Sequence, residues 1–232
     1  TYNTAVGSSA GAAVTTGTNN VLIGGLAGDA ITTGGSNTAV GRSALGGVTT
    51  ADNNTGIGNS AGASITTGTQ NTLIGALAGD ALTDADQNVA VGAFALTADT
   101  LGSKSTAIGI DALATQNFTS ATDTYNTAVG YKAGDAVTTG TENTIVGGQA
   151  GDATTTGSSN TAVGKSALGA NTTSSNNVAI GESALTSTTG ANNTAIGTGS
   201  GNAITSGTKN TILGMYTGNQ HGLDIRTSSN HI

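Results

Sequence analysis

The segment NVLIGGLAGDAITTGGS (residues 20–36) is followed without a gap by NTAVGRSALGGVTTADN (37–53) and NTGIGNSAGASITTGTQ (54–70). Each segment opens on Asn, carries an aliphatic residue at its fourth place and Gly at its fifth, and gives way to the next at a step of 17. The same opening recurs outward in both directions, at Asn3, Asn20, Asn37, Asn54, Asn71, Asn88, Ser105, Asn126, Asn143, Asn160, Asn177, Asn193 and Asn210. Two steps depart from this length: the step from Ser105 to Asn126 is 21 and the step from Asn177 to Asn193 is 16. Numbering each copy from its Asn, place 8 is Ala in all but the last two copies, and places 13 and 14 are often Thr-Thr followed by Gly. A slower rhythm overlies this one, since residues 3–53 match 54–104 in order, a super-period of 51 that reads as duplication of a three-turn block.

A repeat of this length is too short for a helix pair, which needs about 33 residues. Gly, Thr, Asn and Ser also disfavour helix, and no 3.6-residue apolar period is present. Places 2 to 4 put β-branched residues at alternate positions, which favours a short strand bent by the Gly that follows. A second short strand is expected around places 8 to 12, then a turn. Two strands and two turns form one coil of a parallel β-solenoid, with about 13 coils each stacked about 4.8 Å above the last. The chain has no proline, and proline would interrupt such ladders. The Asn residues at place 1 are expected to form a ladder along the axis, each amide bonding to the next.

Side-chain direction alternates along a strand, so places 2 and 4 share one face and place 3 takes the other. Both faces are largely apolar. One is expected to line the coil and the other to meet a second chain, because a thin coil buries little surface by itself.

Composition narrows the function. Six Lys and Arg against 13 Asp and Glu give a net charge of −7, so the chain cannot neutralise a nucleic-acid backbone. With no cysteine, it is neither a disulfide scaffold nor a cysteine-ligated zinc module. Its longest mostly apolar run, Val89 to Leu96, falls well short of the roughly 20 residues that insert into a membrane as a helix. The chain opens at Thr1 and not at Met, which suggests a fragment or a processed form.

The recurrent Asn-Thr-Ala-Val-Gly or Asn-Val-Ala-Ile-Gly, with its small Ala-Gly segment and Gly-containing turn, resembles the head repeats of trimeric autotransporter adhesins of the YadA type. The same kind of repeat occurs in bacteriophage tail-fibre proteins. The resemblance spans Asn3 to about Gln220, and the step of 17 is longer than that of the commoner adhesin repeat. It implies a left-handed β-roll assembled as a homotrimer, and an extracellular setting on a virion tail fibre or a cell surface. Residues 221–232 have left the repeat and are expected to form a connector. They look like the segment that leads to a C-terminal chaperone domain in phage-type fibres, which favours a fibre that attaches to a host over a bacterial adhesin. The alternatives are a bacterial surface adhesin, a self-assembling filament and an ice-binding solenoid.

No catalytic constellation emerges. His221 and His231 are the only histidines, both near the end of the chain, and no enzyme activity or cofactor is expected. Asp29, Asp80, Asp135 and Asp152 share place 10, but only the last two lie in adjacent copies, so turn capping is expected and not calcium binding. The Thr-Thr pairs lack the Thr-x-Thr spacing of a flat hydroxyl face and are expected to bond the local backbone. Recognition of a host receptor or glycan is expected at the variable places 6 and 7, including Tyr131 and Lys132, and at a bulge made by the four-residue insertion, carrying Phe118 and Tyr125.

Overall fold

The computed structural model describes residues 2–220 and 223–231. The chain is all-β, with no helix among the described residues. It forms a parallel β-solenoid of about 12 turns at ~17-residue spacing, the thirteen expected coils being thirteen strands that bound about twelve complete turns. It divides into two compact units, Thr1–Thr124 and Tyr125–Ile232. The first holds β1 (Thr4–Val6), β2 (Val21–Ile23), β3 (Thr38–Val40), β4 (Thr55–Ile57), β5 (Thr72–Ile74), β6 (Val89–Val91), β7 (Gly102–Ser103), β8 (Thr106–Ile108) and β9 (Thr122–Asp123). The second holds β10 (Thr127–Val129), β11 (Thr144–Val146), β12 (Thr161–Val163), β13 (Val178–Ile180), β14 (Thr194–Ile196), β15 (Thr211–Leu213), β16 (Asn219–Gln220) and β17 (Leu223–Asp224). The three-residue strands pair in parallel and in register. Thr38, Ala39 and Val40 sit opposite Thr55, Gly56 and Ile57, and Thr144, Ile145 and Val146 opposite Thr161, Ala162 and Val163.

Most coils have one strand, not two. Where the second was expected, the residues at places 7 and 9 are left-handed, as in Ser43 (φ 56) and Leu45 (φ 48). The N–H groups of this segment then point alternately down and up. Ser43 donates to Gly25 of the coil before at 3.0 Å, and Leu45 to Ala61 of the coil after at 3.0 Å. The segment is therefore bonded to both neighbours without strand geometry. Gly at place 5 has a firmer cause. Gly41 sits at φ +133, and a Cβ there would collide with the carbonyl of Gly58 directly above it.

The Asn at place 1 ties each coil together. The Asn54 amide nitrogen donates to the carbonyl of Gly68, further along the same coil, at 2.8 Å. Its Oδ1 accepts the backbone N–H of Asn71 in the next coil at 3.0 Å. Asn20, Asn37, Asn71 and Asn143 repeat the arrangement, and all five are buried. One side chain thus closes its own loop and satisfies a buried donor of its neighbour.

The interior is narrow, and place 3 points into it. Leu22, Ala39, Leu73, Ala90 and Ala107 are buried, as are the place-8 alanines from Ala27 onward and the place-12 residues Ile31, Val48, Ile65 and Leu82. Place 9 supplies the remaining interior volume. No copy carries Leu or Ile at both places 3 and 9. Leu22, Leu73, Ile145 and Ile212 share their copies with Gly28, Gly79, Gly151 and Gly218, whereas Leu45, Leu96, Leu113, Leu168 and Leu185 accompany Ala at place 3.

The super-period of 51 follows from how these side chains lean. A Cβ on Gly62 would lie 2.7 Å from Leu73 of the coil after and 2.9 Å from Leu45 of the coil before. A Cβ on Gly56 would lie 2.7 Å from Leu45. Leu45 and Leu73 both reach into the coil between them, which must be left empty. Gly201 has the same relation to Leu185 and Ile212 in the second unit. The order is large at place 3, large at place 9, then a coil small at both; this cycle is three coils long from Leu22 and four where Leu113 and Leu185 each add a second coil large at place 9.

Two substitutions test this packing. Gly62→Leu is expected to destabilise the first unit by about 3 kcal/mol through overpacking and a left-handed leucine. Adding Leu73→Ala, which moves the empty coil up by one, is expected to restore most of the loss in urea unfolding. Asn54→Ala strands the N–H of Asn71 and the carbonyl of Gly68. Its expected cost is about 2–4 kcal/mol, read from the same unfolding midpoint.

Candidate interaction surfaces

The alternation that buries place 3 turns places 2 and 4 outward. In the first unit these columns run Thr4, Val21, Thr38, Thr55, Thr72, Val89, Thr106 and Val6, Ile23, Val40, Ile57, Ile74, Val91, Ile108. The second unit continues the same chemistry, for example Thr161 with Val163 and Val178 with Ile180. No charged residue occupies either place in any copy. The aliphatic column is open to solvent, with Ile57 at 37% and Ile196 at 40% exposure even between neighbouring strands. Six steps of about 4.8 Å make the stripe on the first unit roughly 29 Å long. Exposed apolar surface this continuous makes the stripe a candidate contact site.

The Thr-Thr pairs are engaged elsewhere. Thr32 Oγ1 donates to the carbonyl of Thr49 and Thr155 Oγ1 to that of Thr172, both at 3.0 Å, so the place-13 hydroxyls bond one coil to the next.

The insertion departs from expectation. Phe118 does not lie on a recognition surface: it is only 7% exposed, folded under the enlarged coil. The added residues form β9, which pairs in parallel with β7. A buried polar chain holds this coil. Two aligned interior places that are aliphatic in the coils below carry Asp99 and Gln116. Gln116 donates to Asp99 at 2.6 Å and to Ser105 Oγ at 2.8 Å. Ser105 Oγ is 2.6 Å from Thr124 Oγ1, which donates to the carbonyl of Ser103. Asp99 also accepts the N–H groups of Gly102 and Phe118. Ser105 is the copy whose Asn is replaced: it keeps the ladder bond to Asn88 Oδ1 at 2.8 Å, while its short hydroxyl fits the longer coil. The other irregular coil shows the converse. Asn177 keeps its amide, but the missing residue removes the closing carbonyl, and its Nδ2 is buried without a partner.

Tyr125 and Tyr131 are each 54% exposed, and Lys132 Nζ lies 5.9 Å from the centre of the Tyr131 ring. Lys132 also pairs with Asp135. These residues are on the surface. Of the aspartates at place 10, Asp80 accepts the Thr97 hydroxyl, and burial together with the charge of Asp135 raises the carboxyl of Asp152. No group of three or more potential metal ligands occurs among the described residues.

His221 lies outside the described residues. Beyond the expected boundary at 220, residues 225–231 keep to the coil path. Ile225 is buried, Thr205 donates to the carbonyl of Arg226, and the His231 N–H donates to Asn210 Oδ1 as a ladder Asn would. Sequence reading missed this because the last coil holds a four-residue insertion, the hairpin of β16 and β17.

No protein-family model, curated protein or solved structure matches this chain.

The buried network yields a pH prediction. Burial holds the carboxyl of Asp99 above its ordinary value, against the lowering effect of the N–H donors around it. A raised carboxyl makes its stabilising contribution at low pH and loses it as pH climbs through the shifted value. Wild type is therefore expected to lose stability relative to Asp99→Asn between about pH 4 and pH 7, measured by urea unfolding at both.

Proposed function

We propose that this chain is a structural fibre segment. It serves as the shaft or head of a phage or virus tail fibre that attaches to a host surface, and it self-associates as a homotrimer. The observation that carries the reading is the outward Thr and Val/Ile stripe. A single chain gains nothing from presenting charge-free apolar columns to water, whereas other copies would cover them. The repeat's resemblance to adhesin heads and tail fibres supports three chains, an extracellular setting and a non-enzymatic role. A bacterial surface adhesin would use the same geometry. Receptor or glycan contact falls to the variable exposed places, where Tyr125, Tyr131 and Lys132 stand.

One observation favours a second reading. The place-2 threonines of the stripe, such as Thr38, Thr55 and Thr72, have hydroxyls that no described residue engages. A regular array of hydroxyls and methyls is a surface able to order water, so an ice-binding solenoid is the alternative.

Light scattering separates the two. The fibre reading expects three times 22.0 kDa, about 66 kDa, at micromolar concentration. It also expects Ile57→Lys with Ile74→Lys to give a folded monomer, since both side chains point outward. A wild-type monomer that shows thermal hysteresis would overturn it in favour of ice binding.

A further inference from the structure

Places 6 and 7 flank the stripe, one and two residues beyond the place-5 Gly. Five of the thirteen copies fill both with polar side chains: Ser8 and Ser9, Arg42 and Ser43, Asn59 and Ser60, Lys165 and Ser166, Glu182 and Ser183. Three consecutive coils of the first unit break this habit, with Ala76 and Leu77, Ala93 and Phe94, then Ile110 and Asp111. The three pairs are stacked: Phe94 N–H donates to Ala76 at 3.0 Å and Asp111 N–H to Ala93 at 3.2 Å.

In a lone chain these residues are unfavourable twice over. Leu77 and Phe94 sit at φ 58 and φ 59, a left-handed conformation that costs a bulky residue about 1–2 kcal/mol and that Ser, Asn or Gly tolerates better. Burial does not offset that cost for Phe94, which is 43% exposed; Leu77 is half-buried, and Ile110 beside them is 51% exposed. The left-handed leucines at place 9 provide the contrast: Leu45, Leu96 and Leu113 accept the same strain and are wholly buried.

We infer that Leu77, Phe94 and Ile110 form a lateral extension of the self-association surface, covered by a second copy of this chain. The inference rests on the self-association reading above. Two features select a second copy as the occupant. The patch is continuous along the chain with the stripe, because Ile74, Val91 and Ile108 precede it by two or three residues. The chain also carries a net −7, so a like-charged copy approaches most readily where charge is absent, and among these six residues only Asp111 is charged. A stripe two residues wide is narrow beside the roughly 800 Å² per partner of a stable interface, and the patch widens it on one side.

The absence of cysteine allows a direct test. Phe94→Cys and, as a reference, Thr50→Cys on an exposed turn each introduce a single thiol for maleimide labelling in the assembled protein. Thiol labelling at position 94 is expected to be at least about tenfold slower than at position 50. Leu77→Ser with Phe94→Ser, which installs the residue that other coils carry, is expected to weaken assembly by about tenfold or more while leaving the circular dichroism of the chain unchanged. A Phe94→Cys chain that falls to monomer supports the inference equally. If wild type assembles but both thiols react at one rate and the double Ser variant assembles at the same concentration, the patch lies outside the interface and this inference alone fails. If wild type is monomeric, the self-association reading fails and this inference with it.

Discussion

The fold depends on a buried primary amide. A regular coil cannot satisfy its own backbone by strand pairing alone, because only three of its residues are in strand. The Asn at place 1 supplies what is missing: two hydrogens and two lone pairs on one short side chain. It gives a donor to its own coil and an acceptor to the next, at nearly constant geometry in every regular coil. Where the coil length changes, this bond changes too. The enlarged coil substitutes Ser105 and builds a new polar chain, and the shortened coil leaves the Asn177 amide nitrogen unpaired.

Interior volume is the second constraint. The space inside a coil admits one large aliphatic from places 3 and 9, and each leans toward a particular neighbour. Leu45 reaches forward and Leu73 backward, so the coil between is kept small, with Gly56 and Gly62. The interior polar pair Asp99 and Gln116 is held by partners in the enlarged coil.

These constraints set what the outside can be. Once place 3 is committed inward, places 2 and 4 have no choice but to face out, and their Thr, Val and Ile form the surface on which the fibre reading rests. The left-handed places 7 and 9 show how the same strained backbone serves two ends: leucine at 9 fills the core, and leucine or phenylalanine at 7 stands in solvent.

The sequence by itself determined the coil length, the single parallel register, an Asn ladder and a Gly bend at places 1 and 5, and the existence of two strand faces, because these are periodic and periodicity survives without coordinates; the closing bond of each Asn to its own coil came only from the structure. It did not determine which face is inside. Thr4-Ala5-Val6 reads the same either way, and only the volume available within the closed coil decides for alanine. Nor did it reveal that Phe118 folds inward, that the segment after place 7 is not a strand, or that residues 225–231 close one more wrap. Each of these is set by contacts between coils, where hydrogen-bond partners stand a whole coil apart along the chain and no local pattern records them.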